Sequence, residues 1–218
     1  MILLAIDTAC ESCSAALWVD GKLYQRQSVR PRLHAELILP FIDELLVAAS
    51  IHKTDISGLV VAQGPGAFTG VRIGVGVAQG LALALDIPVV AVSNLKTLAY
   101  MAYQQLQTDK PQTVVVATDA RMSEVYSARY AIKGKQIKQL SAQTVGTAQD
   151  VDLSAIDAYI GNGFSVYPEL IAYAAQHVMQ YETKIYSQAQ DMLLMVKDDF
   201  MQLSTSIDVL EPVYLREP

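Results

Sequence analysis

Two aspartates sit where apolar runs end, and each is followed by small or polar residues. Asp7 closes the run Ile2–Ile6 and is followed by Thr8, Ser12 and Ser14; Asp119 closes Thr113–Thr118 and is followed by Ala120-Arg121. A carboxylate at a strand end, beside a turn rich in small polar residues, suits the holding of Mg²⁺ next to a phosphate. The same residue can simply cap the turn. Gly64-Pro65-Gly66 forms a second turn after an apolar strand and has the makings of an anion nest, and Gly161-Asn162-Gly163 could approach a base or ribose. The Gly-x-x-x-x-Gly-Lys-Ser/Thr pattern and its lysine are missing, so no P-loop is present.

Other chemistry finds less support. The histidines are His34, His52 and His177, and no Gly-x-Ser-x-Gly elbow accompanies them, which leaves a serine-hydrolase triad without a basis. His34 with Glu36 supplies too few ligands for a metal, and His34 reads as a helix-start or interface residue. Cys10 and Cys13 form a Cys-x-x-Cys, but a strand follows it instead of the helix that would lower a thiol pKa. No second cysteine pair exists to complete a zinc site, so both are expected as free thiols.

The bulk numbers agree with a folded α/β protein. Of 218 residues, 52 % are apolar and 17 % charged, enough for a large core and two domains of ordinary size. Net charge is −6, and Lys22, Arg26, Arg30 and Arg32 are too sparse for a groove, so nucleic-acid binding by this chain alone is not expected. The apolar stretch Val71–Val92 is interrupted by Arg72, Gln79, Asp86 and Pro88, and the N-terminus lacks a basic n-region and cleavage site. No membrane span or signal peptide is expected, and the expected location is cytoplasmic.

The elements that must position these residues follow from periodicity and turn signals. Ile2–Ile6, Ser14–Val19 and Leu23–Val29 are strands, the last two joined at Asp20-Gly21. His34–Ala49 is a helix that either starts or kinks at Pro40. Leu59–Ala62 is a strand, Thr69–Leu85 a helix, Val89–Val92 a strand and Asn94–Leu106 a helix, ending near Thr108–Pro111. The second half repeats the theme. It has a strand at Thr113–Thr118, alternating strands over Glu124–Ile132 and Gln136–Val145, a short helix near Leu153, a strand end at Tyr159–Gly163, and helices over Tyr167–His177 and Ser187–Ser204. The tail Glu211–Arg216 is expected to be extended. Two domains, 1–110 and 111–218, each open with antiparallel strands before turning to α/β units, which is not a Rossmann start.

The helix after Gly66 is apolar nearly all round. Gly70 and Gly74 share one face and Gly76 and Gly80 another, at about 1 kcal/mol each relative to alanine. Two readings stand: close packing on its own sheet and on the first helix, or a protein–protein surface. The first helix also carries more apolar surface, including Leu39, than one sheet hides, which favours a contact with another subunit.

Several segments together resemble the TsaB (YeaZ) family. They are Ile6-Asp7-Thr8-Ala9, His34-Ala35-Glu36 with Leu39-Pro40, Gly64-Pro65-Gly66-Ala67-Phe68-Thr69-Gly70-Val71-Arg72-Ile73-Gly74, Asp119–Tyr126 and Pro212–Arg216. The resemblance runs the whole length. It implies an α/β ASKHA (actin-like ATPase, RNase-H-like) fold of two similar lobes, with mixed sheets and flanking helices. It implies a non-catalytic scaffold in forming N6-threonylcarbamoyladenosine on tRNA, pairing with the transferase TsaD and joined by the ATPase TsaE. TsaD holds a metal through His-x-x-x-His in its first helix. Here His34 is followed at that spacing by Ile38, so the second ligand is absent.

The implied partner surface, also a homodimer surface in isolation, comprises His34, Leu37, Phe41, Leu45, Arg72, Val75, Gln79 and Leu83. Asp7, Thr8, Gly64, Gly66, Asp119, Gly161 and Gly163 would line a degenerate cleft that takes ATP or ADP with Mg weakly and binds no cofactor tightly. tRNA would be met only through the complex. The competing reading is a self-sufficient ASKHA ATPase or small-molecule kinase using Asp7 and Asp119.

Overall fold

The computed structural model describes residues 1–30, 32–106, 110–177 and 185–216. Its first sheet is built around β1 (Leu3–Asp7), buried at all five positions. β2 (Cys13–Val19) pairs with β1 antiparallel and β3 (Lys22–Ser28) with β2, joined at Asp20-Gly21 where both residues have positive φ. On the other side β4 (Gly58–Gly64) and β5 (Val89–Ser93) add in parallel, giving the order β3-β2-β1-β4-β5.

A strand buried at every position must be covered on both faces. α1 (His34–Ala49) and α2 (Phe68–Leu85) cover one, inserting Ile38, Ile42, Leu45, Val71, Val75, Ala78 and Ala82. Thr8, continuing the alternation of Leu4 and Ile6, meets α2. The opposite face, that of Leu3 and Asp7, is covered by α5 (Ala189–Val196) and α6 (Phe200–Leu203) through Met192, Leu193, Val196 and Phe200. Pro40 lies inside a continuous α1: it and Glu36 are both exposed, so the carbonyl that Pro40 cannot serve faces water.

The second sheet repeats the pattern. β6 (Gln112–Arg121) pairs antiparallel with β7 (Glu124–Lys133) and parallel with β10 (Ala158–Ile160); β8 (Gln136–Gln139) and β9 (Thr144–Gly146) both pair with β7. Val114 and Val116 face α3 (Asn94–Leu106) with its Leu95, Leu98, Ala99 and Ala102. Val115 and Ala117 face Phe164, Tyr167 and Leu170, the last on α4 (Pro168–Gln176).

Some expectations are corrected. The run Gln136–Val145 is two strands on β7 separated by a loop. Near Leu153 there is no helix; a short 3₁₀ turn at Ala148–Asp150 precedes it, closed by Asp150 accepting from the Thr147 N–H. Ser187–Ser204 is two helices, α5 ending where Lys197 and Asp198 turn away. The boundary at 110/111 is replaced by an interleaved division. One compact unit is Met1–Asn94 with Ser187–Val213, the other Leu95–Tyr186 with Tyr214–Pro218. The reason is packing: α3 buries its apolar side in the second core, and α5 buries its own in the first. Of the expected break at Thr108–Pro111, residues 108 and 109 lie outside the described residues.

By length and hydropathy alone α2 could cross a membrane, yet Val71, Val75, Ala78 and Ala82 lie in the first core. Its glycines divide in two. A Cβ on Gly70 would collide with the Thr8 carbonyl oxygen, and one on Gly74 would lie 2.6 Å from Thr8 Oγ1. Gly76 and Gly80 have nothing within 4 Å. The Gly70–Gly74 face is therefore internal, and only the Gly76–Gly80 face is open. Alanine at Gly70 is expected to destabilise by about 2–3 kcal/mol. Alanine at Gly76 or Gly80 should stabilise by about 0.5–1 kcal/mol each. Urea unfolding curves of the three variants check this, and equal effects at all three positions would contradict the division.

Candidate functional site

The end of β1 carries a dense polar cluster in the first unit. Asp7 is fully buried. Its Oδ1 accepts from the Ala9 N–H at 2.9 Å, and Asn94 Nδ2 donates to Oδ1 and Oδ2 at 3.2 and 3.0 Å. The Ser187 hydroxyl donates to Oδ2 at 2.5 Å. Burial pushes the Asp7 carboxyl up to about 6, against the pull of the Ser187, Ala9 and Asn94 hydrogen bonds and the charge of His34. Thr8 turns the other way, its hydroxyl donating to the Gly70 carbonyl at 2.6 Å.

The glycine turn closes on the same loop. Ala67 N–H donates to the Ala9 carbonyl at 2.7 Å, and Gly64 N–H to Asn94 Oδ1 at 3.0 Å. Gly66 sits so close to the Ala9 carbonyl that any side chain would overlap it. The Gly64 and Ala67 N–H groups of this turn are taken by Asn94 Oδ1 and the Ala9 carbonyl, and the Asp7 carboxylate accepts four donor contacts. As it stands, the Asp7 carboxylate is engaged at both oxygens by the chain's own donors.

Asp119 in the second unit is also engaged internally. Oδ1 accepts from Arg121 N–H at 2.8 Å and lies 2.6 Å from the Tyr167 hydroxyl, and Oδ2 is 3.0 Å from Arg121 Nη1. Burial, with the Asp119 hydrogen bond and charge, holds the Tyr167 hydroxyl protonated. Gly161, at φ 115°, and Gly163 press against the Ala117 carbonyl, while Asn162 Oδ1 accepts from Asp119 N–H at 2.9 Å. This turn packs β10 onto β6 and leaves Gly161 no room for a side chain. The β6–β7 turn has three consecutive non-glycine residues at positive φ, Arg121, Met122 and Ser123. Arg216 braces it from the tail through Ala120 O and Glu124.

Among the described residues no group of three or more His, Cys, Asp or Glu could hold a metal. His34 is buried, its Nε2 2.9 Å from the Cys10 carbonyl oxygen. Cys10 and Cys13 are free thiols. Burial, reinforced by the Asp7 charge, raises the Cys10 thiol well above its ordinary range and Cys13 to about 12, which opposes thiolate chemistry.

The expected partner surface divides. Leu45 and Val75 are buried within the first unit, and Phe41 and His34 each keep only 9 % exposure there. Leu37 is half-buried, and Arg72 lies exposed with its guanidinium 3.7 Å over the Phe68 ring. Gln79 donates to the Leu210 carbonyl at 3.0 Å, and Leu83 is 77 % exposed. Sequence reasoning missed Val47, 79 % exposed on α1, and Phe68 at the start of α2. A helical wheel apolar all round does not say which side meets the sheet. It also missed Asn94 and Ser187, which lie far along the chain from Asp7 and carry no local signal.

The whole chain aligns with known proteins. Residues 28–207 match the family model described as TsaD: tRNA N6-adenosine threonylcarbamoyltransferase. The tRNA threonylcarbamoyladenosine biosynthesis protein TsaB of Escherichia coli is 36 % identical, covering 99 % of this chain and 95 % of that one. The chain belongs to the TsaB family. The Haemophilus influenzae TsaB is 32 % identical over 99 % of this chain and 94 % of its own. The structure of YeaZ from Pseudomonas aeruginosa superposes with a TM-score of 0.82 at 33 % identity, covering 98 % and 99 % of the two chains. This TsaB-family chain accordingly has the actin-like ASKHA fold of mixed sheets with flanking helices.

Two buried carboxyls give the first unit a pH signature. Asp7 and Asp191 each move from 3.8 to about 6 on folding, chiefly by burial. Their folded pKa lies above the unfolded one, so the folded state holds the extra protons and stability falls as pH rises from about 4 through 6. Between pH 5 and pH 7 each costs about 1 kcal/mol. Asp191→Asn is expected to flatten the stability-versus-pH curve by that amount, as read from urea midpoints at the two pH values.

Proposed function

We propose that this chain is the non-catalytic partner subunit in forming N6-threonylcarbamoyladenosine on tRNAs that read codons beginning with A. Full-length similarity to the TsaB proteins carries the reading. The chain pairs with a TsaD-type transferase, a TsaE-type ATPase joins the pair, and tRNA is met through the complex in the cytoplasm. In isolation the chain forms a homodimer through the surface it offers the transferase. Leu39 and Val47 are exposed on α1, Leu83 is exposed on α2 along with the open Gly76 and Gly80 positions, and these apolar residues support the two helices as the docking side. The transfer chemistry belongs to the partner: Asp7 accepts from Ala9, Asn94 and Ser187, Asp119 is engaged by Arg121 and Tyr167, and Ile38 stands where a second metal-binding histidine would be.

Leu83→Glu and Val47→Glu are expected to abolish co-purification with the TsaD-type partner and transfer in the reconstituted assay, with an unchanged melting temperature. Transfer surviving in a variant shown to have lost pairing would refute the scaffold role. Calorimetry with Mg·ATP is expected to give no binding heat. Micromolar binding that disappears in Asp7→Ala would point instead to an ATPase or kinase acting by itself.

A further inference from the structure

The chain leaves the first unit after Asn94, returns to it at Ser187 and leaves again after Val213. Two of these three crossings are fastened by one side chain. Asp7 accepts from Asn94 Nδ2 at 3.2 and 3.0 Å and from the Ser187 hydroxyl at 2.5 Å. Asn94 Nδ2 also lies 2.6 Å from Ser187 Oγ, so the outgoing and incoming residues bond to each other as well. The third crossing is held next door, where Val213 N–H donates to the Gln63 carbonyl at 2.8 Å. The following residue, Gly64, donates its N–H to Asn94 Oδ1.

The directions of these bonds are fixed by chemistry. A carboxylate only accepts, so both Asn94 Nδ2 and the Ser187 hydroxyl must point at it. Asn94 Oδ1 then faces the Gly64 N–H, which settles the amide orientation. All three side chains are at least nine-tenths buried. A carboxylate that served only as a turn cap would be satisfied by the Ala9 N–H and would sit at the surface. Burying one is costly unless it is paired or hydrogen-bonded, and here the partners are the residues at the chain crossings.

We propose that Asp7 is a latch, a positioning residue that fastens the outgoing segment at Asn94 to the incoming segment at Ser187. It does this in place of the metal and phosphate work that its strand-end position suggested. Without the carboxylate, the Asn94 and Ser187 donors lose a buried acceptor. The least costly relief is for the two segments to part and admit water, because β1 keeps its ladders to β2 and β4. Opening is then local to the crossings and leaves the sheet intact.

Hydrogen exchange of the full-length protein, read by mass spectrometry, tests this. Asp7→Ala is expected to speed exchange about tenfold in peptides covering residues 92–97 and 185–191, with peptides from β1, β2 and β4 unchanged. Ser187→Ala should give the same local pattern at smaller amplitude, and the double variant should exchange no faster than Asp7→Ala alone. Uniform acceleration across the first unit, or none at the crossings, would overturn the latch. If Asp7→Ala does not fold, Ser187→Ala and Asn94→Ala make the same local-against-uniform comparison.

Discussion

The chain immediately after β1 presents two backbone carbonyls, those of Thr8 and Ala9, to the start of α2, and much of the first unit is arranged around that approach. Ala9 O takes the Ala67 N–H, the Thr8 hydroxyl reaches the Gly70 carbonyl, and Gly66, Gly70 and Gly74 have no side chain to hold the helix away. Each glycine inside the helix gives up about 1 kcal/mol of propensity, which close backbone contact offsets. With α2 fixed against this loop, its buried stripe of Val71, Val75, Ala78 and Ala82 falls on the sheet. Its other face, with Gly76, Gly80 and Leu83, is turned outward.

The two strand-end aspartates are used in different ways. Asp7 is sealed from water and tied by neutral donors, so its charge is disfavoured and its neighbours are held by it. Asp119 is paired with Arg121 and holds the first residue of a left-handed run of three, a conformation that disfavours side chains as large as those of Arg121 and Met122. In both places the carboxylate accepts hydrogen bonds from nearby backbone N–H groups.

Much of the fold was legible in the chain. The Asp20-Gly21 hairpin, the end of α1, the start of α3 and the duplicated strand pattern all follow from local periodicity and turn residues, which act over a few positions. What was not legible depends on contacts between distant positions. Asn94 and Ser187 meet Asp7 across separations of 87 and 180 residues, and nothing nearby announces them. The outward face of α2 was ambiguous because its two glycine pairs look alike in sequence and differ only in what stands opposite. Val75, expected on the partner surface, is buried against the sheet for that reason. The break between α5 and α6 was hidden because Met192, Leu193, Val196 and Phe200 keep a helix-like spacing across it.

The interleaved division has a consequence for how the protein is made. The first sheet is complete once β5 has left the ribosome, but the face of Leu3 and Asp7 has no cover until residues 189–200 follow. For roughly the last half of synthesis, the nascent chain carries a bare apolar sheet. Such surfaces are where chaperones bind and where aggregation begins. A truncation that removes α5 would therefore leave the folded strands of the first unit without one of their two walls, even though every strand of that sheet is intact.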